Sequence, residues 1–166
     1  MTRLAVIDSS PLIYLSHLEL APKLALYFDR IYVPRRVQVE VNKKQRFRYR
    51  LNKLYETGLF ERCKSADETR VRLLGLDHLG DGEAEGLVQA QEKEVRFFIA
   101  DEARARAISE KQGLVPVGTL RLIARLSLEG QADDTRSLVR RLRRELDARL
   151  ADDVIEKAIA SAPSPI

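Results

Sequence analysis

Two short apolar runs in the sequence each end at acidic residues. The run LAVI at 4–7 stops at Asp8, and the run RFFIA at 96–100 is followed by Asp101 and Glu102. If both runs are parallel strands of one sheet, their carboxyl ends meet at one edge, where open α/β sheets bind ligands. Carboxylates gathered there repel one another and raise each other's pKa values, and a divalent cation relieves that repulsion. Oxygen ligands without His or Cys favour Mg²⁺ or Mn²⁺ as the cofactor.

Two acids on predicted helices are candidates to complete this cation site. Glu40 neighbours Val37 and Val41 on the surface of a helix whose valine stripe packs inward. Glu83 and Glu85 flank the apolar face of a later helix on opposite sides, so we expect only one of them to reach a shared pocket. Periodicity slightly favours Glu83, and spacing alone leaves the choice open.

Each of these acids also has an ordinary structural interpretation. An Asp followed by Ser-Ser-Pro, as at the first apolar run, is typical of a helix N-cap. Asp81 before Gly82 is likewise more typical of a cap than of a metal ligand. Glu40 and Glu83, each taken alone, would be solvated acids that favour a helix N-terminus, and Glu102 would cap or begin the following helix. Only the combination of several acids favours a cation site over these alternatives.

The acids need a sheet to bring them together, and the chain alternates strand and helix patterns over most of its length. Strands are predicted at 3–7, 30–33, 59–62, 96–100 and 114–117, with helices at 11–28, 35–56, 82–94 and 102–112. This alternation predicts βαβ units, and therefore a three-layer α/β/α fold with a parallel central sheet. From Thr119 onward only helices are predicted, at 119–129, about 134–149 and 152–160.

Composition sets the broad class of protein. The chain has 166 residues, 45% of them hydrophobic and 33% charged, which is typical of a globular protein rather than a disordered one. One cysteine and two isolated histidines exclude an internal disulfide and a Cys/His zinc site. Without a positioned histidine base, a Ser, Cys or Tyr hydrolase arrangement has no support. No apolar stretch approaches the roughly 20 residues of a membrane span, and no signal peptide is evident, so we expect a cytoplasmic protein without a membrane partner.

Five segments that occur in order resemble the PIN-domain nucleases. They are VIDSSPLIYL, VPRRVQVEV, LGDGEAEGLVQA, FFIADEARARAI and LVPVGTL, and they span roughly residues 3–130. They are most similar to a branch of that family with a Gly-Glu-x-Glu motif. The resemblance implies a PIN-like α/β/α sandwich at 1–130. We expect 131–160 to form a helical extension packed on the same domain, and 161–166 a flexible tail.

The resemblance also implies which residues form the site. The four acids of the family fall on Asp8, Glu40, Glu83 and Asp101 as catalytic and metal-binding residues, with Ser9, Glu102 and Thr119 in support. Arg121 departs from the pattern, because similar sequences often have glycine at that position. The implied chemistry is hydrolysis of single-stranded RNA by two divalent cations, which leaves 5′-phosphate products. The implied role is the toxin of a toxin–antitoxin pair, a homodimer with an antitoxin protein as partner.

Basic segments could supply the attraction for RNA that an acidic site lacks. The formal net charge is +4, and the stretch 42–53 carries six Lys or Arg and no acid. In that stretch Phe47 or Tyr49 could stack a base, beside candidate RNA contacts at Lys43, Lys44, Arg46, Arg48 and Arg50. A solvated helix face with both aromatics packed inward is an equally good interpretation. The stretch 136–149, with six arginines, is better interpreted as a helix that packs its leucine stripe on the domain or on a partner than as an RNA contact.

Two other functions are consistent with acids at strand ends. The first is a PIN-like protein that keeps the pocket but acts as a catalytically silent RNA-binding or regulatory module. The second is a phosphoacceptor receiver domain, which also gathers acids around Mg²⁺. A receiver needs a lysine near the end of a late strand, and LVPVGTL has none. Four intact acids favour the nuclease over the silent module, and the missing lysine disfavours the receiver domain.

Overall fold

The structure, a computed structural model, describes all 166 residues. Its strands are β1 Leu4–Ile7, β2 Arg30–Val33, β3 Phe60–Arg62, β4 Phe97–Ile99 and β5 Val115–Val117. Its α-helices are α1 Ser9–His17, α2 Arg35–Lys43, α3 Gln45–Glu56, α4 Glu68–Gly75, α5 Asp81–Glu92, α6 Ala103–Lys111, α7 Thr119–Leu128, α8 Thr135–Leu146 and α9 Asp152–Ser161. A 3₁₀ helix at Ala21–Leu26 follows α1.

The five strands form one sheet in the order β3-β2-β1-β4-β5, and every neighbouring pair is parallel. Helices cover both faces, which confirms the predicted three-layer α/β/α sandwich with a parallel central sheet. β1 lies in the middle of the sheet, with Ile7 in register with Ile99 of β4. Both strands therefore end at the same edge, and the Asp8 N–H continues the pairing with a 2.9 Å hydrogen bond to the Ile99 carbonyl.

Alternation along β1 divides the core into two layers. Ala5 and Ile7 belong to the larger cluster, which contains apolar residues of α1, α3 and α7. Val6 belongs to the cluster on the opposite face, with apolar residues of α5 and α6. All three side chains are fully buried, as the near-continuous apolar run of a strand covered on both faces requires.

Two of the predicted helices are interrupted in the structure. The helix predicted over 11–28 ends at His17, because the backbone turns left-handed at Glu19 (φ 61°) before the 3₁₀ helix begins. The helix predicted over 35–56 divides at Lys44, whose φ and ψ of −88° and 91° are extended rather than helical. In both cases apolar residues on each side of the break face the same core cluster, so their spacing alone did not reveal the break. The helix α4 was not predicted.

The C-terminal helices pack on the sheet domain through α7. A third apolar cluster joins Leu120 of α7, Val139 of α8 and Ile155 of α9. In the leucine stripe of α8, Leu138 and Leu142 are buried in the main core. The helix ends at Leu146 because Asp147 adopts a left-handed conformation (φ 52°).

Arginine side chains hold the segment that we predicted to be a flexible tail. Arg121 and Arg125 of α7 donate hydrogen bonds to the carbonyl oxygens of residues 162–165. Arg3 donates to the carbonyl of Ile166, and Ala162 is buried. These contacts attach the last residues to α7 and to Arg3, the residue before β1.

No helix of the fold is both long enough and apolar enough to span a membrane.

Candidate functional site

Asp8 lies where β1 ends and α1 begins. It occupies the N-cap position of α1, yet its side chain accepts no capping hydrogen bond, so the ordinary structural interpretation of this acid does not account for its carboxylate. Only 7% of the residue is exposed. A buried carboxylate without a cationic partner is unfavourable in its ionised form, and such a group is a natural ligand for an added cation.

Glu40 reaches the same place from α2. Its Oε2 accepts a 2.8 Å hydrogen bond from the hydroxyl of Ser9, the residue that follows Asp8. The first turn of α5 closes the space on the other side. A Cβ atom on Gly82 would lie 3.8 Å from Asp8 Oδ1 and 4.0 Å from Glu40 Oε2. The two carboxylates therefore both approach α5 at Gly82, where the helix has no side chain.

Glu83 follows Gly82 in the first turn of α5. Its Oε2 accepts a 2.8 Å hydrogen bond from the Gly80 N–H, so the side chain also caps its own helix. Burial raises the pKa of Glu83, and the negative charges of Glu102 and Glu40 add to the rise, while the Gly80 hydrogen bond opposes it. Asp81, which we expected to be the cap, is instead the first residue of α5 and is preceded by Gly80 at the N-cap.

Asp101 lies just past the end of β4, beside the start of α7. Its Oδ1 accepts a 2.7 Å hydrogen bond from the Thr119 N–H, and its Oδ2 accepts another of 2.7 Å from the Thr119 hydroxyl. Thr119 is fully buried, so this pair of donors holds the carboxylate in one orientation. Burial raises the pKa of Asp101, while the Thr119 hydrogen bonds and the Arg106 charge lower it.

Electrostatic coupling connects the four acids. Burial raises the pKa of Asp8 from 3.8 to about 7, against a lowering by the Ser9 backbone N–H. The negative charges of Glu83, Glu40 and Asp101 each raise it further, so all three lie within electrostatic reach of Asp8. Asp8, Glu40 and Glu83 line one cavity of about 800 Å³, whereas Asp101 lines a neighbouring one.

The donor set fits a hard divalent cation by its chemistry. All four groups are carboxylates, which Mg²⁺ and Mn²⁺ prefer, and their mutual repulsion would be relieved by positive charge. No three His, Cys, Asp or Glu side chains are arranged in the structure to hold a metal ion. The assignment of Asp8, Glu40, Glu83 and Asp101 as metal ligands therefore stays a prediction, supported by their chemistry and their mutual repulsion.

Glu85 differs from our expectation that only one acid of the pair reaches the pocket. Both Glu83 and Glu85 line the first cavity. Glu85 is only 1% exposed, and its Oε2 accepts a 2.7 Å hydrogen bond from the Arg36 N–H in the first turn of α2. Its carboxylate thus caps α2, the helix that carries Glu40.

Glu102 has a structural contact of its own. It is the N-cap residue of α6, and its Oε2 accepts a 2.8 Å hydrogen bond from the Ala105 N–H. This is the capping interpretation that the sequence offered. Its charge nevertheless acts on the site, because it is one of those that raise the pKa of Glu83.

The basic stretch 42–53 divides into inward and outward side chains. Phe47 is buried in the core, which excludes it from stacking on a base, and Tyr49 is 66% exposed. Arg50 donates hydrogen bonds of 3.0 and 3.1 Å to the carbonyls of Ser16 and His17, the last residues of α1. The exposed cations of the stretch include Lys43, Lys44, Arg46 and Arg48. Of these, Lys43 lines the acidic cavity.

A second cavity, of about 740 Å³, was missed in the sequence. It lies between α6 and α9, and Asp101 forms part of its wall. Four cations line it: Arg106, Arg121, Arg149 and Lys157. In the sequence, only Arg106 lies close to Asp101. The other three cations belong to distant segments that come together only when the chain folds.

Comparisons with known proteins bear on this arrangement. A family model described as DUF3368, PIN domain, matches residues 4–164. The chain belongs to this PIN-domain family. The PIN-domain resemblance is thereby confirmed, while the Gly-Glu-x-Glu branch stays a prediction. PIN domains are in general nucleases and typically use divalent metals.

A solved structure is also similar to this PIN-domain chain. The crystal structure of PAE2754 from Pyrobaculum aerophilum is similar, with 15% identity and a TM-score of 0.46. The similarity covers 70% of this chain and 92% of that one. No curated protein matches the chain.

Proposed function

We propose that this PIN-domain protein is an endoribonuclease that hydrolyses phosphodiester bonds of single-stranded RNA with Mg²⁺ or Mn²⁺. The observation that carries the proposal is the environment of Asp8. This carboxylate is buried, has no cationic partner, and lies within electrostatic reach of three more acids. Such an arrangement costs the folded protein free energy unless a cation is bound, so its presence is best explained by function.

Two of the acids have a supporting partner in the proposed site. Asp8 and Asp101 are the central ligands, with Glu40 and Glu83 completing the set directly or through water. Ser9 restrains Glu40 through its hydroxyl, and Thr119 holds Asp101 through two hydrogen bonds. A bound divalent cation would activate water and stabilise the leaving 3′ oxygen. Residues that only orient ligands matter as well, because their loss typically lowers metal affinity or activity about 10–100-fold.

Positive charge near the acids supports a polyanionic substrate. Arg35, Arg36 and Lys43 line the same cavity as Asp8 and Glu40. Arg36 is paired with Glu68, whereas Lys43 is exposed at the end of α2. Cations at the mouth of an acidic pocket would offset the repulsion between phosphates and carboxylates until a metal ion is bound.

The test is metal-dependent cleavage by Asp8→Asn. We expect this variant to lose Mn²⁺-dependent hydrolysis of single-stranded RNA by more than about 100-fold, beyond the usual effect of a supporting residue. Asp133→Asn removes an exposed acid from the loop between α7 and α8 and serves as the matched control. Cleavage at equal rates by Asp8→Asn and the parent protein, with identical circular dichroism, would reject the nuclease proposal.

A PIN-like module that binds RNA without cleaving it is the second candidate. The observation in its favour is that Glu83 and Asp101 already accept hydrogen bonds from within the protein. The two functions separate in one experiment. A silent module binds RNA but yields no products in Mn²⁺, whereas a nuclease yields fragments with 5′ phosphates.

We further propose that the nuclease acts as a toxin, as a homodimer in complex with an antitoxin protein. The proposal follows from the resemblance to small toxin-like PIN proteins. Expression of the chain alone should arrest growth, and Asp8→Asn should not. Co-expression with the product of a small neighbouring reading frame should restore growth and co-purify. Light scattering of the purified chain tests the dimer.

A further inference from the structure

The side chain of Arg106 has no partner inside the protein. It projects from α6, is partly buried, and lines the cavity between α6 and α9. Arg104, on the same helix, donates to the Asp77 carbonyl, and Arg125 pairs with Glu129. The nitrogens of Arg106 are not among the sealed polar atoms of the protein, so its guanidinium faces the cavity. A partly buried guanidinium without a hydrogen-bond or ion-pair partner is suited to an anionic ligand.

Gly118 lets this guanidinium lie close against the backbone, beside the acidic edge of the sheet. A Cβ atom on Gly118 would lie 3.1 Å from Arg106 Nη1 and 3.6 Å from Asp101 Oδ1. The cation and the carboxylate thus approach one point from two sides without forming an ion pair. The φ of Gly118 is −85°, which any residue adopts, so the backbone does not require glycine there. The glycine instead matters because it has no Cβ atom, which lets the guanidinium approach the backbone.

The cavity that Arg106 lines carries more positive than negative side chains. Arg149, between α8 and α9, and Lys157 of α9, which pairs with Asp153, also line this cavity. Glu110 is the only acid in the wall besides Asp101. Arg121 lines the same wall and donates to the Ser164 and Pro165 carbonyls, which ties the C-terminal segment in place. A groove of this charge that opens at Asp101 suits a polyanionic strand.

We propose that Arg106 binds a phosphate group of the RNA strand on the cavity side of its guanidinium, with the adjoining nucleotides in the groove between α6 and α9. The inference rests on the proposed function in that RNA is the ligand. The planar guanidinium can hold two phosphate oxygens at once, which fixes the strand in orientation as well as in position. The contact places a phosphate beside Asp101 without displacing the Thr119 donors from that carboxylate.

Binding without cleavage tests this contact. Fluorescence anisotropy in EDTA measures the affinity for a fluorescein-labelled single-stranded oligouridylate over a range of salt concentrations. We expect Arg106→Gln to raise Kd about tenfold and to reduce the slope of log Kd against log salt by about 0.7, the value for one phosphate contact on a single strand. Lys111→Gln removes an exposed cation from the end of the same helix and should change neither quantity.

A second variant separates geometry from charge. Arg106→Lys keeps the positive charge and should retain the salt slope, but it should recover only part of the affinity because an ammonium cannot bind two oxygens in one plane. If Arg106→Gln and Arg106→Lys both bind the oligouridylate as the parent does, the inference is wrong. Binding of oligoglutamate in place of oligouridylate, with the same dependence on Arg106, would assign the groove to a protein partner and also overturn it.

The two proposals fail in different ways. If the parent protein binds oligouridylate through Arg106 but produces no fragments in Mn²⁺, the nuclease function fails and the phosphate contact stands. If the parent cleaves RNA while Arg106→Gln binds and cleaves equally well, the contact fails and the nuclease function stands. If the parent binds no oligouridylate at about 50 mM salt, where phosphate contacts are strong, the Arg106 contact is rejected outright.

Discussion

The hydroxyl of Ser9 donates a 2.8 Å hydrogen bond to Glu40 Oε2. Ser9 belongs to the first turn of α1 and Glu40 to α2, so the bond joins two helices that begin after neighbouring strands. Ser9 is buried, whereas Glu40 is exposed apart from this contact. The bond therefore restrains an otherwise mobile carboxylate on the side of the cavity where Asp8 lies.

Removal of that hydroxyl should weaken metal binding without unfolding the protein. Ser9→Ala should raise the Kd for Mn²⁺ and lower the cleavage rate, each about 10–100-fold, as losses of residues that orient a ligand usually do. Isothermal titration with Mn²⁺ and a cleavage assay measure the two effects. Ser137→Ala, at an exposed position of α8, is the control. Unchanged Mn²⁺ affinity in Ser9→Ala would show that Glu40 does not depend on this bond.

The buried carboxylate of Asp8 should make stability depend on pH in the metal-free protein. Its pKa is raised from 3.8 to about 7, mainly by burial. The folded state therefore disfavours the ionised form. Below about pH 4, Asp8 is protonated in both the folded and the unfolded state and does not lower stability. As the pH rises toward 7, the unfolded state ionises first, so the free energy of unfolding falls, and above pH 7 it stays low. Asp8→Asn should then raise the free energy of unfolding in EDTA at pH 8, by on the order of 2–4 kcal/mol, and change it little at pH 4.

Urea denaturation at the two pH values measures this effect, with Asp133→Asn as the control acid. Mn²⁺ should stabilise the parent protein at pH 8, because a ligand that binds only the folded state shifts the equilibrium toward it. The same ion should stabilise Asp8→Asn much less. Equal stability of Asp8→Asn and the parent at pH 8 would mean that the Asp8 carboxylate is not strained by its surroundings.

Gly86 allows α5 to lie close against β4. A Cβ atom there would be 3.0 Å from Phe98 Cε2 and 3.7 Å from Val6 Cγ1, both in the buried core. Gly86→Ala should therefore destabilise the protein by about 1–3 kcal/mol through overpacking. Gly75→Ala, in α4, places its methyl group in open space and should be neutral or slightly stabilising. Urea denaturation of the two variants provides the comparison, and a stable Gly86→Ala would mean that α5 can shift away from the sheet.

Arg50 and Arg48 should respond in opposite ways, although they lie two residues apart in the same basic stretch. Arg50 donates to the carbonyls at the end of α1, so Arg50→Ala should cost about 1–3 kcal/mol of stability and leave RNA affinity unchanged. Arg48 is exposed, so Arg48→Ala should leave stability unchanged and weaken binding to oligouridylate at low salt. Thermal melts and anisotropy titrations measure both. Loss of RNA affinity in Arg50→Ala at full stability would contradict the structural assignment of this residue.

Local patterns in the sequence determined most of the sheet. Each predicted strand overlaps an observed one, and 30–33 agrees with β2 at both ends. Strands covered on both faces require short, continuous apolar runs, and such runs can be recognised without knowledge of the rest of the fold. The positions of Asp8 and Asp101 follow from the same runs, because parallel strands end at one edge.

Only the tertiary structure decided which way the polar side chains of the helices point. The basic stretch 42–53 has the same composition whether Arg50 meets RNA or the carbonyl of Ser16, 34 residues earlier. Glu85 lies inside because α2 begins against α5, and Arg106 faces a groove because α9 folds back across it. The local sequence does not show which group a charged side chain will contact, because long-range packing brings that group into place. The sheet and its acidic edge are therefore properties of short segments, whereas the surroundings of the acids are a property of the whole fold.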